Sequence, residues 1–283
     1  GGGGGSTAGG GDHNGQPSAT LKVMSVAPLA LSGTTPLVVT FRDTLASDSE
    51  LPSLSPAVPG GWTRSGMTAT FTPSQAYPPS TKFKLQLVRP GGRPPKTIAQ
   101  PVSADGSLRF AEQILARLHY LPLDTKAPQP AGATEEAAAV FAPPTGGFTW
   151  RYPNTPAALV HAWKPGQANV LLRGAVIAFQ HQSHLKQDGA IGPATWKDLL
   201  KADTSAAMDP DPYSYVSANL YARPQLLQVW VDGKTALSSP VNGGVTGAPT
   251  PLGTFPIFLR YAATTMQGTN PDGTKYKDKG VPW

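Results

Sequence analysis

The chain has 283 residues, with 31 Gly, 31 Pro, no Cys, 14% charged residues and a formal net charge of +6. That length favours two or three small domains over one core, and the Gly and Pro content points to a loop-rich, β-heavy protein. The lack of Cys excludes a disulfide framework, a Cys-ligated zinc site and a cysteine nucleophile within these residues, and no run approaches the ~18 apolar residues of a transmembrane helix.

Residues 1–17 read as a flexible Gly-rich linker. Such a tract is what remains after removal of a secretory or lipoprotein leader, and equally what a reading frame cut at its 5′ end would show. Residues 18–104 read as strands. Thr20–Val26 alternates, with Leu21, Val23 and Ser25 on one face. Pro36–Phe41 is a short apolar run, Met67–Phe71 alternates again, and Lys82–Val88 repeats the pattern with Phe83, Leu85 and Leu87. Turn-forming Gly and Pro clusters separate these runs, which predicts a β-sandwich with Trp62 as a core anchor. This part also carries most of the positive excess. Residues 21–104 hold 8 basic and 3 acidic side chains, against 9 and 7 in 105–202 and 6 and 6 in 203–283. Arg89, Arg93 and Lys96 join Lys82 and Lys84. A nucleic-acid surface would interleave aromatics with a dense basic stripe. Few occur here, so no nucleic-acid partner is expected, and an anionic surface such as a cell wall, or a plain solvated face, fits better.

Residues 105–202 change character. Phe110–Tyr120 has helical spacing in Ile114, Leu115 and Leu118, with Leu121-Pro122 as its stop. Pro-, Ala- and Gly-rich sequence runs to about Gln167. Asn169–His184 is a second amphipathic helix (Leu172, Val176, Phe179), Asp188-Gly189 a turn, and Pro193 the first residue of a third helix ending near Lys201. Residues 203–212 form a linker. From Tyr213 the period returns to two. Gln225–Asp232 and Thr235–Val241 are strands joined by the hairpin signal Asp232-Gly233, and Thr254–Arg260 is a further strand with Phe255, Ile257 and Leu259 in phase.

Three stretches resemble known families. Pro59-Gly60-Gly61-Trp62 and Phe71-Thr72-Pro73 resemble bacterial Ig-like domains. Phe179-Gln180, Leu185, Asp188-Gly189, Gly192, Thr195-Trp196 and Leu199-Leu200 resemble the peptidoglycan-binding type 1 module. Its first helix corresponds to Ala111–Tyr120, and a long insertion at about 124–168 departs from its pattern. Gln228–Gly233, Pro240–Gly244, Thr250–Phe255 and Gly268–Tyr276 resemble the start of an L,D-transpeptidase (YkuD-type) catalytic domain. The fold expected is therefore multidomain and mostly β with a small α module: an Ig-like β-sandwich, a three-helix peptidoglycan-binding module, and the N-terminal part of a β-rich L,D-transpeptidase domain over 213–283.

The resemblance implies a bacterial envelope or secreted protein whose partner is peptidoglycan, both stem peptides and glycan, and which is compatible with a lipid anchor upstream. It implies cross-linking of stem peptides through a cysteine thioester, in which a neighbouring His activates the thiol. The His residues are 13, 119, 161, 181 and 184, all before the catalytic segment. The family's His and Cys are thus expected beyond Trp283, no catalytic residue carries over, and the fragment is expected to be inactive. The alternative is a non-catalytic murein-binding envelope protein. Gly268–Trp283 corresponds to the loop before the catalytic motif, which makes Tyr276, Pro282 and Trp283 expected cleft-lining residues. Tyr120, Asp188 and Thr195, beside the module's turns, are the expected glycan- or peptide-contacting residues.

Other chemistries fit less well. Ser183-His-Leu-Lys186, Ser217-Ala-Asn219 and Lys234-Thr235-Ala236 mimic penicillin-binding-protein motifs, but Gln187-Asp188-Gly189 ends a helix where the nucleophilic serine should open one. His181 and His184 have zinc spacing without an apparent third ligand, so no metal and no cofactor are expected. Glu135-Glu136 reads as a solvated pair rather than a glycosidase acid pair.

Overall fold

The computed structural model describes residues 21–88, 93–98, 102–244, 247, 249–258 and 261–282. The 1–17 linker, Arg89, Leu259, Arg260 and Trp283 lie outside them. The chain divides into two compact units. One comprises residues through Tyr77 and Lys82–Ser103; the other comprises Pro78–Thr81 and everything from Ala104.

The first unit is built from eight strands: β1 (Val23–Ala27), β2 (Leu37–Phe41), β3 (Ser53–Ser55), β4 (Gly60–Ser65), β5 (Thr68–Pro73), β6 (Thr81–Leu87), β7 (Lys96–Thr97) and β8 (Val102–Ala104). They form two sheets, β1-β2-β5-β4 and β3-β6-β7, with β8 also pairing to β6. Alternation decides their inner faces. Leu37, Val39 and Phe41 on β2, and Phe83, Leu85 and Leu87 on β6, are buried while their neighbours face out. In β1 the pairing shifts between Val23 and Ser25. This bulge reverses the expected phase, so Val26 is buried and Ser25 exposed. An aromatic chain bridges the two inner faces, Phe71 to Tyr77 at 6.5 Å and Tyr77 to Phe83 at 5.8 Å. The Tyr77 hydroxyl donates to the Thr35 carbonyl at 3.0 Å. Trp62 sits on the edge strand β4, half-buried against Phe71 at 5.3 Å, and so caps the core rather than anchoring its centre.

The second unit begins with a helical core: α1 (Leu108–Arg117), β9 (Leu123–Thr125), α2 (Ala133–Ala139), β10 (Phe148–Trp150), α3 (Ala157–Ala162), α4 (Val170–Gln182) and α5 (Pro193–Ser205). The three expected helices are α1, α4 and α5, and two short ones join them. Helix α1 is central: every residue from Phe110 to Ala116 is buried. Ser107 caps its start through Phe110 N–H. It ends at Arg117, earlier than Leu121-Pro122 suggested, because His119 takes a left-handed conformation (φ +69) and closes the helix. The segment expected as an insertion contributes to the same core. Ala139, Val140 and Leu159 are buried there, and β9 pairs with β10.

Five further strands follow: β11 (Ser214–Asn219), β12 (Leu226–Val231), β13 (Lys234–Pro240), β14 (Ala263–Thr269) and β15 (Lys275–Pro282). β11-β12-β13 form one antiparallel sheet and β14-β15 another. Asp232 (φ +42) and Gly233 (φ +86) make the expected tight turn. Two expectations fail here. Residues 254–258 are not a strand, because Pro256 removes a ladder donor in mid-run. The stretch from Gly268 is not a loop: it pairs as β14-β15 around a turn closed by Asn270, Asp272 and Thr274. Strand outweighs helix, and among the described residues no helix is long and apolar enough to cross a membrane.

Candidate functional site

The motif between α4 and α5 is organised by one buried side chain. Gln180 is 1% exposed and lies in the last turn of α4. Its Nε2 donates to Asp188 Oδ1 (3.1 Å), the Ala190 carbonyl (3.0 Å) and Thr195 Oγ1 (3.2 Å), and its Oε1 accepts from Gly189 N–H (2.9 Å). Asp188 Oδ1 also accepts from Ala190 N–H at 2.9 Å. That N–H and the Gln180 amide hold the Asp188 carboxyl below the usual carboxylate range. Gly189 has φ +70, and a Cβ there would lie 2.7 Å from the Arg173 side chain, so the turn requires glycine. Pro193 then starts α5 with φ already set.

The expected contact residues therefore divide. Asp188 and Thr195 are brought together, both on Gln180. Thr195 is 4% exposed, and Tyr120, at 5%, meets Phe179 edge-on at 5.4 Å. Burial, with Asp209 and Asp211 nearby, pushes the Tyr120 phenol up to about 12. Both side chains offer little surface to a polymer. Tyr276 belongs to the separate β14-β15 hairpin, where its ring covers Gly268. Pro282 ends β15, paired with Ala263.

A second set of residues escaped the sequence patterns. Helix α1 fastens the 144–169 backbone with three polar side chains. Arg109 donates to the Gly146 carbonyl (2.5 Å), Gln113 Nε2 to the Pro144 carbonyl (2.8 Å), and Glu112 Oε2 accepts from Gly166 N–H (2.7 Å). Glu112 Oε1 lies 3.5 Å from the amide of Asn169, the residue whose Oδ1 caps α4 through Leu172 N–H at 2.9 Å. Burial raises the Glu112 carboxyl to about 7 against the opposing pull of Gly166 N–H, Arg109 and Asn169. The available signal was compositional: Phe110, Ala111, Ile114, Leu115 and Leu118 cover so much of the helix that Glu112 and Gln113 could not all face water.

A groove of about 430 Å³ lies between the 209–213 segment, the turn after α1, the residues after β10 and the β12–β13 turn, lined by His119, Arg151, Tyr152, Asp209, Tyr213 and Asp232 among others. The Tyr152 hydroxyl (2.5 Å) and Tyr213 N–H (3.1 Å) both donate to Asp232 Oδ1. Asp209 is raised to about 6, chiefly by burial and further by Asp211 and Asp232. His119 is lowered, by burial first and then by Arg151. Arg151 is committed to Asp124 (2.9 Å) and to the carbonyls of Leu123 and Ala116. Among the described residues no cluster of His, Asp or Glu could hold a metal ion. His181 Nδ1 pairs with the Gln187 amide at 3.1 Å, and His184 sits at φ +55.

No family model and no curated protein matches the chain. Two solved structures of L,D-transpeptidase 3 from Mycobacterium tuberculosis are similar to part of it. One is in complex with a faropenem-derived adduct (16% identity) and one was determined at 1.32 Å resolution (15% identity). Each similarity covers 30% of this chain and 38% of that chain, with a TM-score of 0.23. The chain thus spans under two fifths of the length of these neighbours.

Proposed function

We propose that this is a bacterial envelope protein that docks on peptidoglycan through residues 105–202 and carries, over 213–283, scaffold of an L,D-transpeptidase-type domain. The observation that carries this reading is the Gln180-centred turn. Phe179-Gln180, Asp188-Gly189, Gly192 and Thr195 are among the residues on which the resemblance to the peptidoglycan-binding type 1 module rests, and Gln180, Asp188, Gly189 and Thr195 are tied together by hydrogen bonds in one closed α4–α5 unit. Glycan or stem peptide would meet the exposed rim of that turn, with Asp188 the most accessible of the polar residues and Tyr120 and Thr195 holding its shape. Tyr276, Pro282 and Trp283 would belong to the wall of a stem-peptide cleft.

Cross-linking through a thioester needs a cysteine, and these 283 residues contain none. The chain as given is therefore proposed to bind without reacting, and catalysis would need a cysteine from outside it. That same count favours the second reading, a purely murein-binding envelope protein. Sedimentation with isolated peptidoglycan tests the docking claim. The chain should pellet with the polymer, and Gly189→Val, which breaks the turn, should stay in the supernatant. Equal recovery of both, or a wild-type chain that stays in solution, would sink it. Incubation with a stem-peptide donor should give no covalent adduct by mass spectrometry.

A further inference from the structure

The turn between β12 and β13 is gripped by two residues that follow β10. The Tyr152 hydroxyl donates to Asp232 Oδ1 (2.5 Å) and the Asn154 amide to the Gly233 carbonyl. The Tyr152 ring lies edge-on to Trp230 of β12 at 5.1 Å. It also covers Gly233 (φ +86), where a Cβ would lie 2.9 Å from it, so the grip needs glycine there. Tyr213 closes the other side: its N–H donates to Asp232 Oδ1 and its carbonyl accepts from Asp232 N–H, both at 3.1 Å. The preceding segment is held to the helical part, by Asp209 N–H on the Leu118 carbonyl (2.8 Å) and by the Gln182 amide on Asp211 (2.9 Å). Asp209 and Asp211 are thereby fixed beside the groove that Asp232 lines from the turn. Among the described residues no ion pair engages any of these three carboxyls, and Arg151 in the same groove is committed to Asp124. Closing the grip gathers three acids around one groove, and their mutual repulsion works against it.

We propose that Tyr152, Asn154 and Asp232-Gly233 form a proton-controlled clasp, which holds the β12–β13 turn on the helical part while Asp209 is protonated and loosens when Asp209 ionises. Burial, and then Asp211 and Asp232, raise the Asp209 carboxyl to about 6. The closed clasp keeps that proton at a pH where the open clasp, with Asp209 back at the ordinary lower value, has lost it. The contribution to closure is fully present below the ordinary value and lost as pH rises through about 6. The other groups around Asp209 do not supply this dependence. Burial raises the phenols of Tyr120, Tyr152 and Tyr213, so they stay protonated. His119 is lowered, by burial first and then by Arg151, and so acts in the opposite sense, favouring closure as pH rises. The clasp lies within one compact unit and is independent of the murein reading.

Amide exchange of the full chain, corrected for its intrinsic pH dependence, reads the clasp at the N–H groups of Tyr213 and Asp232. Their protection should fall about tenfold between about pH 5 and about pH 8, since opening returns Asp209 to its ordinary value. Asp209→Asn keeps an acceptor for Asp211 N–H and should hold that change within about twofold. Tyr152→Phe keeps the ring on Trp230 but loses the donor to Asp232. It should lower protection at both amides about tenfold at either pH, with α4 amides such as Leu172 N–H as in wild type. Wild-type protection that stays level or rises with pH would overturn the proposal. So would an unchanged pH dependence in Asp209→Asn, or losses in Tyr152→Phe that spread equally over α4.

Discussion

Residues 104–206 and 213–282 belong to the same compact unit, yet they treat their apolar side chains in opposite ways. In the helical part, Phe110, Ile114, Leu115, Phe179, Trp196 and Leu199 are all nearly inaccessible, and even the polar Glu112, Gln113 and Gln180 are enclosed. In the strand part, Trp230 is buried, but Leu237, Leu252, Phe255, Ile257 and Phe258 are each more than half exposed. Hydrophobic patterning records which residues are fit for burial. Burial itself needs a second surface. Helix α1 has neighbours on all sides, whereas β13, β14 and the 251–258 stretch present apolar groups to solvent. The two regions should therefore differ sharply in how substitutions are felt.

The largest expected effect is in the helical core. Trp196, 1% exposed and stacked on Phe110 at 6.4 Å, should cost about 3–5 kcal/mol when changed to Ala, read as a shift in the denaturant midpoint at unchanged slope. A Trp196→Ala chain that unfolds like wild type would show that the 104–206 core does not govern stability.

Next comes the buried carboxyl. The folded chain keeps the Glu112 proton up to about pH 7, whereas the unfolded chain releases it at the ordinary, lower value. The contribution is fully present below that ordinary value and lost as pH rises towards 7, by about 3 kcal/mol at most. Glu112→Gln should remove most of this slope while keeping an acceptor for Gly166 N–H. Asp209 and Glu136 are raised in the same direction, so a shallower decline survives. A steeper decline in the variant than in wild type would contradict the assignment.

Smaller still is the turn. Gly189→Ala places a Cβ against Arg173 at φ +70 and should cost about 1–2 kcal/mol. Gln180→Leu, which orphans Gly189 N–H and leaves the Ala190 carbonyl with the Thr195 hydroxyl alone, should cost about 1–3 kcal/mol. Amide exchange localises both losses: protection should fall first at residues 188–192.

The smallest effect sharpens the contrast from the other side. Phe255→Ser and Phe258→Ser should each leave the melting temperature unchanged, within about 0.5 kcal/mol, and should raise solubility. A clear destabilisation would mean that the strand part is packed after all.

Sequence patterns located α1, α4, α5, β2, β5, β6, β12 and β13 because each carries a periodic apolar face or a punctuating residue whose cause is local: Asn169 as a cap, Pro193 at a helix start, Asp232-Gly233 in a tight turn. They also placed the turn at Asp188-Gly189, with Thr195 beside it. They missed α2, α3 and the strands β3, β7 and β8, which have too few residues to show a period, and β4, whose Gly60–Ser65 run has no alternating buried face. They misjudged 254–258 by following alternate apolar residues across Pro256, and they treated 268–282 as a loop although its strands are mostly polar and pair only through the Asn270–Thr274 turn.

The sequence alone determined a Cys-free, multi-part chain, its strong helices, its tight turns and a basic first third, since each follows from composition or from neighbours within a few residues. Only the tertiary structure decided that Tyr120 and Thr195 face inward, that Gln180 closes the turn, that Glu112 is buried against Gly166, and that Lys82 and Lys84 of β6 stand on its exposed face. Burial and hydrogen-bond partners depend on which surfaces distant segments bring together, and that is set by packing across tens of residues.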